Sequence, residues 1–215
     1  PCAGDAMVRR GMPWMIIPGA LREENDVADV GRVGEQHDQA VDADAAAARR
    51  GQAVFQRADV VGVVVHRFLV AGLLGFGGIA GHCFVQQKRD ATGYCHRIIC
   101  AQDYSAVTAA CMMVKREAFD KVHGLSEEFQ VAFNDIDFCL RLGKAGYLVV
   151  YNPYAELYHY ESKSRGLEDT PEKVARFNRE IASFEKHWPE ILRDGDPYYN
   201  PNLTLESQDF SLKRI

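Results

Sequence analysis

Two carboxylates, Asp135 and Asp137, stand where a helical pattern begins, and a histidine, His159, ends an apolar stretch further along the chain. An ionised carboxylate held in a cleft can take a proton from an attacking hydroxyl. The start of a helix favours negative charge there. A neutral imidazole at a strand end can ligate a metal ion. Glu161, Ser162, Ser164 and Arg165 follow in a polar loop and could touch phosphate or sugar hydroxyls. Each feature also has a plain structural reading. Asn134 and the two aspartates could simply cap a helix. His159 could be a core histidine bonded to backbone, and the polar loop a solvated connection. The combination says more, because a strand that follows a helix returns to the same edge of a parallel sheet. Open α/β sheets bind their ligands at that edge.

The elements that must position these groups can be read from periodicity. Val60 to Val65 is β-branched and apolar, as in a buried strand. Ala106 to Val114 runs from small to apolar residues, and its second half reads as a strand buried on both faces. Lys115 to Val122 reads as a short helix ended by Gly124, where a left-handed residue is tolerated. Asn134 reads as the N-cap of a helix over Asp135 to Ala145, with Ile136, Cys139, Leu140 and Leu142 apolar and Gly146 closing it. Tyr147 to Tyr151 and Ala155 to His159 read as strands. Pro171 to Trp188 reads as a long amphipathic helix, with Thr170 as its cap and Pro171 at its first position. The tail from Pro197 is turn-rich and is expected to wrap the surface.

The chain divides near residue 58. Between Met15 and Val54 there is no aromatic residue, and a helix there would have too few large apolar side chains to build a core. The segment 1–58 therefore reads as a divergent or poorly ordered region, or as sequence from a truncated or misread gene. The segment 59–215 has the texture of a folded α/β domain.

Bulk properties exclude some functions. The 215 residues carry a formal net charge of −5, so no basic excess is available to neutralise phosphates, and nucleic acid is excluded as an expected partner. The six cysteines form no CxxC and no dense framework, and read as reduced, mostly buried thiols of a cytoplasmic protein. The apolar run Phe68 to Ala80 is too short to span a bilayer, which takes about 20 residues, although peripheral contact with a membrane remains open.

Three further patterns carry less. Gly75 to Gly81 lacks the register of a phosphate-binding glycine loop. His82, Cys83, Cys95, His96 and Cys100 have no zinc-finger spacing. Asp42-Ala43-Asp44 lies in an alanine-rich helical context rather than after a strand, and is not accepted as a metal site.

With these residues in place, the chain from about Gly72 onward resembles the C-terminal half of inverting family-2 glycosyltransferases, most of all bacterial enzymes of O-antigen and surface-polysaccharide synthesis. The resemblance is carried by Arg116-Glu117-Ala118-Phe119, Gly124-Leu125-Ser126-Glu127, Asn134-Asp135-Ile136-Asp137-Phe138-Cys139-Leu140-Arg141-Leu142, Ala145-Gly146-Tyr147 and the run from Pro153 to Gly166. It departs from the family pattern at Asn134, where many members have Glu, and at His123, where a glycine pair usually begins.

The resemblance implies an A-type glycosyltransferase fold, here a partial nucleotide-diphospho-sugar transferase sandwich with a C-terminal amphipathic helix and tail. It implies Asp135 as the catalytic base toward the acceptor hydroxyl, and His159 as a ligand of a divalent metal, Mg or Mn, on the donor diphosphate. Asn134, Asp137, Arg141, Ser162 and Arg165 would support substrate binding. The partners implied are a nucleotide-sugar donor and a glycan or lipid-linked glycan acceptor, met in the cytoplasm or at the inner face of the plasma membrane. Upstream, Met15-Ile16-Ile17-Pro18 has the look of an opening strand, but no strand-terminal DxD follows. The chain as given is therefore expected to bind donor weakly. The alternative is a non-catalytic remnant or binding module that keeps the acceptor-side half of the fold.

Overall fold

The computed structural model of the chain describes residues 14–18, 60–64, 72–74, 79–84, 87–88, 90–109, 111–154, 170–207 and 210–214. The strands are β1 (Trp14–Pro18), β2 (Val60–Val64), β3 (Gly72–Leu74), β4 (Ala80–His82), β5 (Gln102–Asp103), β6 (Cys111–Lys115) and β7 (Leu148–Asn152). The helices are α1 (Arg116–Lys121), α2 (Asn134–Lys144), α3 (Pro171–His187) and α4 (Pro189–Asp194).

The architecture is a mixed α/β fold around an open sheet. Strand β7 pairs in parallel with β2 and antiparallel with β5. Strand β6 pairs antiparallel with β1 and lies close to β2. The sheet is thus mixed, where the sequence suggested a parallel one. Residues Trp14–Pro18 join β6 as a strand, and the remainder of 1–58 lies outside the described residues. Of the glycine-rich stretch, Ala80 and Gly81 are part of β4, which pairs with β3.

Strand β7 is apolar because it is covered on both faces: Val149, Val150, Tyr151 and Asn152 are all buried. Strand β6 differs from expectation. Met112 and Val114 are fully buried while Met113 and Lys115 are half-exposed, the alternation of a strand with one covered face.

Helix α2 lies between two apolar clusters. Phe138, Cys139 and Leu142 pack with Met112, Val114, Val149 and Tyr151 of the sheet. Leu140 points elsewhere, to Phe129, Phe184 and Trp188. The helix is therefore a middle layer, with the sheet on one side and α3 on the other. The tail contributes to the core as well as covering it, since Leu203 and Phe210 are buried and Phe210 stacks on Phe84 and Tyr94.

Helix ends follow local chemistry. Thr170 caps α3, its Oγ1 accepting from the Lys173 amide at 3.4 Å. Helix α1 is closed by two successive left-handed residues, His123 at φ 61° and Gly124 at φ 69°. The Gly124 amide donates to the Phe119 carbonyl at 2.9 Å. A side chain at 124 would meet the Phe119 ring at 2.8 Å, so glycine is required there by space as well as by φ. His123 has no such freedom and holds a conformation disfavoured by about 1 kcal/mol for a residue with a Cβ. This explains in physical terms why a glycine pair suits this corner. We expect His123→Gly to raise the unfolding free energy by up to about 1 kcal/mol in urea denaturation, and a loss of stability would contradict this reading of the turn.

Candidate active site

Asp135 is held at the first turn of α2 by backbone donors from two segments. Its Oδ2 accepts from the Ala109 amide at 3.0 Å, and its Oδ1 from the Ile136 amide at 2.9 Å. The small residues ahead of β6 allow this approach, because Ala109 brings its amide to the carboxylate without a bulky side chain. The residue is partly exposed and its carboxylate retains acceptor capacity, since two oxygens offer about four lone-pair positions and, among the described residues, two N–H groups from other residues use them. It can receive a hydroxyl proton from outside the protein.

The helix starts one residue earlier than expected. Phe133, not Asn134, is the cap residue, with φ 63°. Asn134 is the first helical residue, and its Oδ1 accepts from the Asp135 amide at 2.7 Å. The shift follows from packing. The Phe133 ring stacks on Phe177 at 5.6 Å and meets Phe184 at 5.4 Å, which anchors residue 133 outside the helix.

Asp137 faces inward. It is 4% exposed, and both oxygens are engaged: Oδ2 with Arg141 Nε at 2.8 Å and Oδ1 with Trp188 Nε1 at 3.1 Å. Arg141 in turn donates through one Nη to the carbonyls of Val122 and Gly124. The pair thus ties α2 to the corner after α1 and to the end of α3. All these contacts are internal to the protein.

His159, Ser162 and Arg165, and the strand read over Ala155 to His159, lie outside the described residues. Among the described residues no three His, Cys, Asp or Glu side chains come together as a metal site, and this includes the His82, Cys83, Cys95, His96 and Cys100 group. The Asp137 carboxylate is already taken up by Arg141 and Trp188, and Asp135 stands without a second free ligand beside it, so the described residues alone do not fit a divalent ion.

The cysteines split into two kinds. Of the four cysteines with described side chains, Cys95 and Cys100 are exposed, while Cys83 and Cys139 are buried as expected of reduced core thiols. Burial pushes the Cys139 thiol up to about 12, and its Sγ donates to the Val107 carbonyl at 3.7 Å. It is protonated near neutral pH and is no nucleophile, although it lies one turn from Asp135.

Sequence reading missed three contributors: the Ala109 amide, Glu180 and Trp188. Glu180 Oε2 accepts from the Ala132 amide at 2.7 Å, just ahead of the site. A glutamate in line with Phe184 and Trp188 at intervals of four was the available signal, because an acidic residue within the buried stripe of a helix needs a partner.

No family model matches this chain, and no solved structure matches it. It is 53% identical over 141 residues to an uncharacterized protein, y4gI, of Sinorhizobium fredii, covering 65% of this chain and 15% of that protein. It is 36% identical over 155 residues to the O-antigen biosynthesis protein RfbC of Myxococcus xanthus, covering 71% of this chain and 12% of that protein. A shorter stretch of 60 residues is 42% identical to an N-acetylglucosaminyl-diphospho-decaprenol L-rhamnosyltransferase of Mycobacterium tuberculosis, covering 28% of this chain and 20% of that enzyme. The chain thus spans between 12% and 20% of the length of these curated relatives.

The internal ion pair makes a stability claim. Asp137→Ala should lower the unfolding free energy by about 3 kcal/mol in urea denaturation, because it removes the counter-charge of Arg141 and leaves its Nε and the buried Trp188 N–H without an acceptor. A change under about 1 kcal/mol would show that the brace carries little of the fold. The likeness is thus to part of an O-antigen biosynthesis protein and, over a shorter stretch, to part of a rhamnosyltransferase.

Proposed function

We propose that this chain is part of a glycosyltransferase that moves a sugar from a nucleotide-sugar donor to a glycan or lipid-linked glycan acceptor in cell-surface polysaccharide synthesis. The observation that carries the proposal is the Asp135 carboxylate, fixed by the Ala109 and Ile136 amides with lone pairs still available. The likeness to an O-antigen biosynthesis protein of Myxococcus xanthus and to a rhamnosyltransferase of Mycobacterium tuberculosis supports this reading.

In this reading the acceptor hydroxyl gives its proton to Asp135 as its oxygen attacks the anomeric carbon. The bond from that carbon to the nucleoside diphosphate breaks, and its electron pair leaves with the phosphate oxygen. One displacement inverts the anomeric configuration. The two backbone donors keep the carboxylate in place during proton transfer, so its orientation need not be found anew at each turnover. Asn134 secures the Asp135 backbone, while Asp137 and Arg141 hold the helix start. Ser162 and Arg165 are assigned to donor or acceptor contacts.

A divalent metal, Mg or Mn, with His159 among its ligands, belongs to this proposal, and when bound it would neutralise charge on the departing diphosphate. Among the described residues no helix is long and apolar enough to cross a membrane. A lipid-linked acceptor, met at the inner face of the plasma membrane, is part of the same proposal.

Asp135→Asn keeps the size and one acceptor oxygen but cannot take up the proton. It should lower kcat by about 100-fold or more while shifting the unfolding free energy by only about 1 kcal/mol. The assay follows release of nucleoside diphosphate in the presence of acceptor. Transfer by the variant within about threefold of the unmodified chain would remove Asp135 from the role of base.

A further inference from the structure

Helix α3 carries Glu180 and Phe184, and Trp188 caps its C-terminus, so that the three follow at intervals of four residues along one side. All three are buried, and all three touch the segment that carries Asp135. Glu180 Oε2 accepts from the Ala132 amide at 2.7 Å. The Phe184 ring meets Phe133 at 5.4 Å and Phe129 at 6.1 Å. Trp188 Nε1 donates to Asp137 Oδ1 at 3.1 Å. The stripe therefore grips the chain on both sides of Asp135, at 132–133 before it and at 137 after it.

Glu180 is a demanding residue to bury. At 4% exposure its carboxylate has lost most of its hydration, which an ion pair with Arg176 at 3.8 Å, longer than a hydrogen bond, offsets only in part. An apolar residue would fill the same stripe without that desolvation, but it could not accept the Ala132 N–H. What that bond secures is the backbone next to Phe133, which sits at φ 63° with a bulky side chain. Such a turn persists only when its surroundings hold it.

Resting on the function proposed above, we infer that Glu180 and Trp188 are positioning residues for Asp135. They fix the left-handed turn and the first turn of α2, and so set the direction of the Asp135 carboxylate. The expected consequence is large for chemistry and small for affinity, because a misplacement of about 1 Å at a reacting group can lower a rate about 100-fold.

Two readouts test this in the 215-residue chain, using Glu180→Ala, Glu180→Gln and Trp188→Phe. The first is amide hydrogen exchange at Ala109, which lies on a separate segment and donates to Asp135. Glu180→Ala and Trp188→Phe should each speed exchange at Ala109 about tenfold or more. Glu180→Gln keeps an acceptor oxygen for Ala132 and should leave it within about threefold. The Tyr104 amide, bonded to the Val149 carbonyl in the sheet, should not change in any variant.

The second readout is transfer. Glu180→Ala should lower kcat by about 10- to 100-fold with the donor KM within about threefold, and Glu180→Gln should recover most of the rate. Exchange that quickens at Ala132 but not at Ala109 would overturn the inference. So would a rise at Tyr104 equal to that at Ala109, with Gln no better than Ala. Should Glu180→Ala fail to fold, the Trp188→Phe and Glu180→Gln results at Ala109 decide. If the unmodified chain shows no transfer with donor and acceptor, as a part lacking the donor half would, exchange at Ala109 alone decides whether these residues position Asp135.

Discussion

The hydrogen bond from the Ala109 amide to Asp135 joins the two halves of this site. One partner belongs to the small-residue segment before β6, the other to the first turn of α2. Neither segment would fix the carboxylate alone. The bond forms because α2 is seated on the sheet through Phe138, Cys139 and Leu142, which brings its start against Ala109. Burial of such side chains contributes roughly 1.5–3 kcal/mol each, enough to place a helix but not to orient one carboxylate. Orientation comes from polar contacts.

Those polar contacts divide by exposure. Asp135 is half-exposed and keeps unused acceptor capacity, whereas Asp137, two residues on, is buried and fully bonded to Arg141 and Trp188. The same residue type thus serves two ends within one helical turn. Asp137 and Arg141 bind α2 to the corner after α1, where His123 and Gly124 turn left-handed and expose the carbonyls that Arg141 reaches. The strained corner, the ion pair and the helix start form one connected unit, and α3 closes it from the other side.

Much of this was legible in the sequence. The period of α2, the Thr170–Pro171 start of α3 and the β-branched runs of β2 and β7 each followed from local chemistry, because propensity and burial agree there. The helix start was misplaced by one residue. Asn134 has the better intrinsic cap chemistry, but the aromatic packing of Phe133 on Phe177 and Phe184 decides the outcome, and sequence spacing does not show that contact. The two-faced burial read for β6 was also too strong, since Lys115 and Met113 stay half-exposed. Asp135 was singled out by its place at a helix start. Ala109 was not, because a backbone donor has no sequence signature. Glu180 was passed over because a glutamate on an amphipathic helix is ordinarily a solvated residue.

The most direct test of the account is a crystal structure of the chain with a nucleoside diphosphate and an acceptor glycan bound. The account predicts the reacting acceptor hydroxyl within about 2.6–3.2 Å of an Asp135 carboxylate oxygen, with the Ala109 bond to that carboxylate retained. An acceptor seated away from Asp135, with its hydroxyl facing another base, would contradict it.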